Sequence, residues 1–124
     1  MRAAVKDFLT FDFDRSAPLS NPSDAGFLVQ MLVGPADGPG EESFQVMVCT
    51  PAWLERYVDR IGPLIGRHYL IVQDFDWPRV RTFLQQAVET CEAELWHDLA
   101  EQIGRIGKWE FEDYRSESDW RGRG

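Results

Sequence analysis

Hydrophobic positions along this chain change their spacing several times, and each change marks an element. Residues 1 to 13 alternate loosely between apolar and polar and predict a first strand. The run FLVQMLVGP (27 to 35) is dense in Phe, Leu and Val and predicts a strand buried on most of both faces. In SFQVMVCT (43 to 50), Phe44, Val46 and Val48 share one face at a period of two. The intervening GPADGPGEE (34 to 42) is the strongest turn signal in the chain, so these two strands are expected to pair antiparallel. DRSAPLSNPSDAG (14 to 26) is rich in turn formers and predicts a surface loop.

At Thr50 the period changes. Thr50 suits an N-cap and Pro51 the first helical position, where its missing N–H costs nothing. Leu54, Tyr57, Val58 and Ile61 then recur at helical spacing until Gly62-Pro63. RHYLIVQ (67 to 73) predicts another strand. Asp76 is expected to cap a second helix whose apolar face is Val80, Phe83, Leu84, Ala87, Val88 and Cys91. A third helix, carrying Leu95, Trp96, Leu99, Ala100, Ile103 and Ile106, is expected to stop at Gly107. Strands first, then helices interleaved with one more strand, favour a single α+β domain over residues 1 to 115. Its expected form is a small antiparallel sheet of four to five strands with three helices packed on one face. The polar residues 116 to 124 are expected to fray.

A formal charge of −8, spread along the chain with no acidic tail, changes the picture of partners. No Lys/Arg stripe is present, and the net field repels a phosphate backbone, so direct nucleic-acid binding is disfavoured. The two cysteines, Cys49 and Cys91, fall in apolar surroundings and are read as reduced core residues. Charges interrupt the N-terminus at Lys6 and Asp7, and no apolar run is long enough for a membrane span. A cytoplasmic protein is expected.

Catalytic chemistry finds little support. The histidines, His68 and His97, have no zinc-ligand spacing around them. Cys49 precedes a helix N-terminus, which favours a thiolate, but no base is near it in sequence. Asp74 and Asp76 are explained by helix capping, and the prolines of GPADGPG remove the N–H donors a phosphate loop needs. No enzyme, cofactor or metal is expected.

The closing stretch KWEFEDYR (108 to 115) interleaves aromatics with carboxylates. If it is extended, Trp109 and Phe111 face one way and Glu110 and Glu112 the other. With GEESFQVMVCTPAWL (40 to 54), GRHYLIVQDFD (66 to 76) and WHDLAEQIGRIGKWEFEDYR (96 to 115), the chain resembles the immunity protein 8 family of bacterial polymorphic toxin systems. The resemblance rests on Thr50-Pro51 with Trp53-Leu54, on Trp96, and on Trp109 and Phe111 in the closing motif. It extends over nearly the whole chain to Arg115.

The resemblance implies a cytoplasmic antidote that neutralises a cognate toxin by forming a stoichiometric complex. It implies no catalytic residues. Thr50, Pro51, Trp53, Leu54, Trp96, Trp109 and Phe111 are expected to serve the fold. Candidate toxin contacts are Glu110, Glu112, Asp113 and Tyr114, with Glu41 and Glu42 of the Gly/Pro/acid loop at 35 to 42 as a second candidate surface. An acidic antidote suits a basic toxin such as a nuclease domain. The competing readings are a small acidic hydrolase or transferase with an unrecognised pocket, and a homodimeric regulatory module built on exposed tryptophans. A monomer or weak homodimer is expected.

Overall fold

The alternating segments form three long antiparallel strands. In the computed structural model, which describes residues 1–112, β1 spans Ala3–Leu9, β2 Gly26–Pro35 and β3 Glu42–Cys49. Phe8 of β1 lies opposite Met31 of β2, and Met31 lies opposite Phe44 of β3. A bulge between Val5 and Asp7 shifts the parity of β1, which returns Phe8 to the face that carries Ala3 and Val5.

The fourth position of the sheet is shared. β4 (Tyr69–Ile71) runs parallel to the end of β3, with Cys49 opposite Ile71, and β5 (Lys108–Trp109) runs antiparallel to its beginning, with Phe44 opposite Trp109. The sheet is therefore mixed: the link from β3 to β4 is a crossover through a helix, which permits a parallel neighbour. The α+β class and the count of four to five strands and three helices match the sequence expectation.

The helices are α1 (Pro51–Ile61), α2 (Trp77–Glu89) and α3 (Trp96–Ile103). Val29, Met31, Val33, Phe44, Val46 and Val48 are fully buried on the inner sheet face. They form one core with Val80, Leu84 and Val88 of α2 and Leu99, Ala100 and Ile103 of α3. α1 packs elsewhere. A Cβ on Gly26 would lie 2.3 Å from the Trp53 ring, and Gly26 pairs with Cys49, so Trp53 covers the opposite sheet face. Of the three helices expected on one face, two are there. Amphipathic spacing shows that a helix has an apolar side but carries no information on which sheet face receives it.

Two predicted termini move. Asp76 stands at the N-cap position of α2, yet its side chain makes no cap hydrogen bond. α3 ends at Gly104 rather than Gly107. Gly107 answers a different need, because a Cβ there would lie 3.0 Å from Val46 Cγ2 and 3.2 Å from Phe44 Cβ. Only a bare backbone lets the chain approach β3 this closely.

Candidate functional site

The closing motif forms a seam between β5, the start of β3 and the end of α3. Trp109 is buried with its ring stacked on Phe44, and its indole Nε1–H donates to Glu42 Oε2. Glu110 is anchored twice: its N–H donates to the Ser43 carbonyl at 3.0 Å, and its Oε1 accepts the Ser43 N–H at 2.9 Å. Glu112 Oε1 lies 3.1 Å from His68 Nε2 and 3.3 Å from an Arg67 nitrogen. The same His68 nitrogen is 2.8 Å from the Gly104 carbonyl. Both of its partners are acceptors, so Nε2 carries the hydrogen.

The expected extended run over 108 to 114 is cut short. The strand ends at Trp109 and the chain turns at once, with the Glu112 N–H donating to the Trp109 carbonyl. Alternation of faces thus fails after two residues. Phe111 meets the edge of Trp109 at 5.7 Å and keeps 42% of its surface exposed. Asp113 and Tyr114 lie outside the described residues.

The β3–α1 junction is similarly committed. Buried Thr50 Oγ1 accepts the Ala25 N–H at 3.0 Å and the Trp53 N–H at 3.4 Å, while the Thr50 N–H donates to the Ala25 carbonyl at 2.9 Å. One side chain therefore caps α1 and ties it to the start of β2. Pro51 opens the helix as the spacing requires, Trp53 stacks on Tyr57, and Leu54 is half-buried.

A groove opens where the loop before β2 meets the start of α2. It consists of two adjoining concavities of about 430 and 390 Å³ that share Asp74 and Asp76. Phe13, Phe75 and Trp77 form an aromatic wall for the first, with Asp14 also lining it. The second runs between β4 and α2 past Ile71 and Phe83. Phe83, expected on the buried face of α2, is 55% exposed, because the neighbouring Leu84 takes the inward position. Hydrogen bonds from the Ser16 hydroxyl and N–H hold the Asp14 carboxyl below its ordinary range.

The thiols point away from covalent chemistry. Both are free, and burial pushes Cys49 and Cys91 up, the opposite of what a thiolate nucleophile needs. Among the described residues no cluster of His, Cys, Asp and Glu is arranged to hold a metal ion. No described helix is long and apolar enough to cross a membrane.

The family model for immunity protein 8 matches residues 6–114. The chain belongs to the immunity protein 8 family. No curated protein and no solved structure matches it.

In this family member, sequence and structure divide the candidates. Glu42, Glu110 and Glu112 are brought together along the β3–β5 seam, each held by a partner distant in sequence. Glu41 is exposed in the turn before β3, and Trp96 opens α3 half-buried. Sequence reasoning assigned no site role to Ile71, Asp74, Asp76 and Phe83. No sequence signal set Phe83 apart, because Phe83 and Leu84 occupy the i+3 and i+4 positions after Val80 in an ordinary amphipathic stripe.

Proposed function

We propose that this immunity protein 8 family member is a cytoplasmic antidote that binds a cognate toxin domain and blocks it in a stoichiometric complex, without chemistry of its own. The observation that carries the reading is the family match across residues 6–114. The mode of action needs only a stable scaffold with a complementary surface. The sheet and its two-helix layer supply the scaffold, with hydrophobic burial as its main stabilising term.

Its −8 charge favours a basic toxin, of which a nuclease domain is the clearest case, since a phosphate-binding cleft is cationic. Association with such a partner is steered electrostatically, and its rate falls as salt rises. The protein acts as a monomer or weak homodimer and binds no nucleic acid directly.

A growth rescue tests this. The toxin domain encoded beside this gene is induced in a test bacterium with and without the protein. Rescue that survives replacement of Cys49, His68 and His97 supports stoichiometric inhibition. Toxicity that persists despite soluble antidote would sink the reading.

A further inference from the structure

β4 is an edge strand. It bonds to β3 on one side, and among the described residues no strand lies on its other side. An open edge presents backbone N–H and C=O groups to any extended chain that reaches it. Here the edge borders the groove against α2, where Phe83 is 55% exposed, while Ile71, 53% exposed, pairs with Cys49 and so lies on the other face of the sheet at the same edge.

The far end of the groove is anionic. Asp74 and Asp76 line both concavities and Asp14 the first. Among the described residues none of these three carboxylates makes an ion pair. Asp76 is also released from the capping bond its position would allow. Two cations line the groove. Arg15 is engaged within the chain, donating to the Phe8 carbonyl and to Thr10 Oγ1 and lying 5.2 Å from the Trp77 ring. Arg79 stands on the α2 wall.

We propose that this groove is where the toxin docks, through an extended segment lying along the β4 edge. That segment sets alternate apolar side chains on Phe83 and on Ile71, one on each face of the sheet, and a lysine or arginine against Asp14, Asp74 and Asp76. The proposal rests on the antidote reading above and names the surface that reading leaves open. Charge selects this occupant over a second copy of the chain. A second copy brings another net charge of −8 to these carboxylates, whereas a basic segment neutralises them. The apolar end supplies the desolvated contact and the anionic end supplies orientation and rate.

The test uses the full-length protein and a catalytically inactivated form of the toxin domain encoded beside the gene. Affinity is measured at low and high salt for wild type, Asp74→Asn/Asp76→Asn, Phe83→Ser, and a control, Glu55→Gln/Asp59→Asn, which removes the same charge from α1. Asn caps helices as well as Asp, so the first variant keeps α2 intact, and thermal melting verifies all four. Both groove variants are expected to weaken binding about tenfold or more, with the charge variant losing part of its salt dependence and the control staying near wild type. Wild-type binding that persists in both groove variants, or is lost equally in the control, overturns the groove and leaves the antidote reading standing. A wild-type protein that neither binds nor rescues overturns both.

Discussion

Trp109 donates its indole N–H to Glu42 at 2.5 Å, joining residues 67 positions apart at the edge of the sheet. The bond lets a carboxylate and an aromatic ring share one partly buried seam, because each satisfies the other. Trp109→Phe keeps most of the ring and removes the donor, so the cost is that of leaving Glu42 without its partner, about 1–3 kcal/mol. Trp109→Ala also opens a cavity against Phe44, and about 3–5 kcal/mol is expected. Urea unfolding of both variants measures the two terms. A Phe variant as stable as wild type would show that the hydrogen bond adds nothing.

Thr50 links three elements through one oxygen. Thr50→Ser retains that oxygen and is expected to remain close to wild type. Thr50→Val keeps the shape but leaves the Ala25 N–H without its acceptor and removes the α1 cap; a loss of roughly 2–4 kcal/mol is expected from the two effects together. Comparing the melting of Ser and Val variants separates the oxygen from the volume, and equal stabilities would contradict the assignment.

His68 has a φ of 65°, the only positive value among the described non-glycine residues. A left-handed conformation costs an L-residue with a Cβ about 1–2 kcal/mol. The ring offsets that cost through Gly104 and Glu112. His68→Ala loses the contacts and keeps the strain, whereas His68→Gly loses the contacts and the strain together. The glycine variant should therefore be the more stable of the two by about 1 kcal/mol, measured by chemical denaturation. The reverse order would refute the strain argument.

Alkaline pH should weaken the fold. Burial pushes the Cys49 and Cys91 thiols up from the ordinary 9.0 and the Tyr69 phenol up from 10.0. In each case the folded state holds its proton to higher pH than the unfolded state does. The stability these groups contribute is fully present below their ordinary values and is lost as pH rises through the raised folded ones. Melting temperature followed from neutral pH upward should hold until near 9.0 and then fall. Cys49→Ala should soften the fall, and an unchanged slope in that variant would assign the effect to other groups.

Local chemistry was readable in the sequence. A dense apolar run located β2, period-two alternation located β3, and Thr50-Pro51 marked the start of α1, because these signals act between neighbours. The partners of Glu42, Glu110 and Glu112 were hidden. A carboxylate on a surface-like pattern looks the same whether it meets water or a donor brought from across the fold. The same limit applies to β4, whose parallel place beside β3 depends on a crossover rather than on its own residues. The groove was hidden for a further reason. Asp74 and Asp76 had an adequate local explanation in capping, and the structure withdraws it for Asp76.

The shared fourth position of the sheet also sets an order of events during synthesis. β3 leaves the ribosome early, but the first half of its outer edge stays open until Lys108 and Trp109 arrive. A chain cut short before them exposes that edge and leaves Phe44 without its stacked neighbour. The closing motif is thus the last piece of the sheet to be made, and only a chain that reaches it can seal the outer edge of β3.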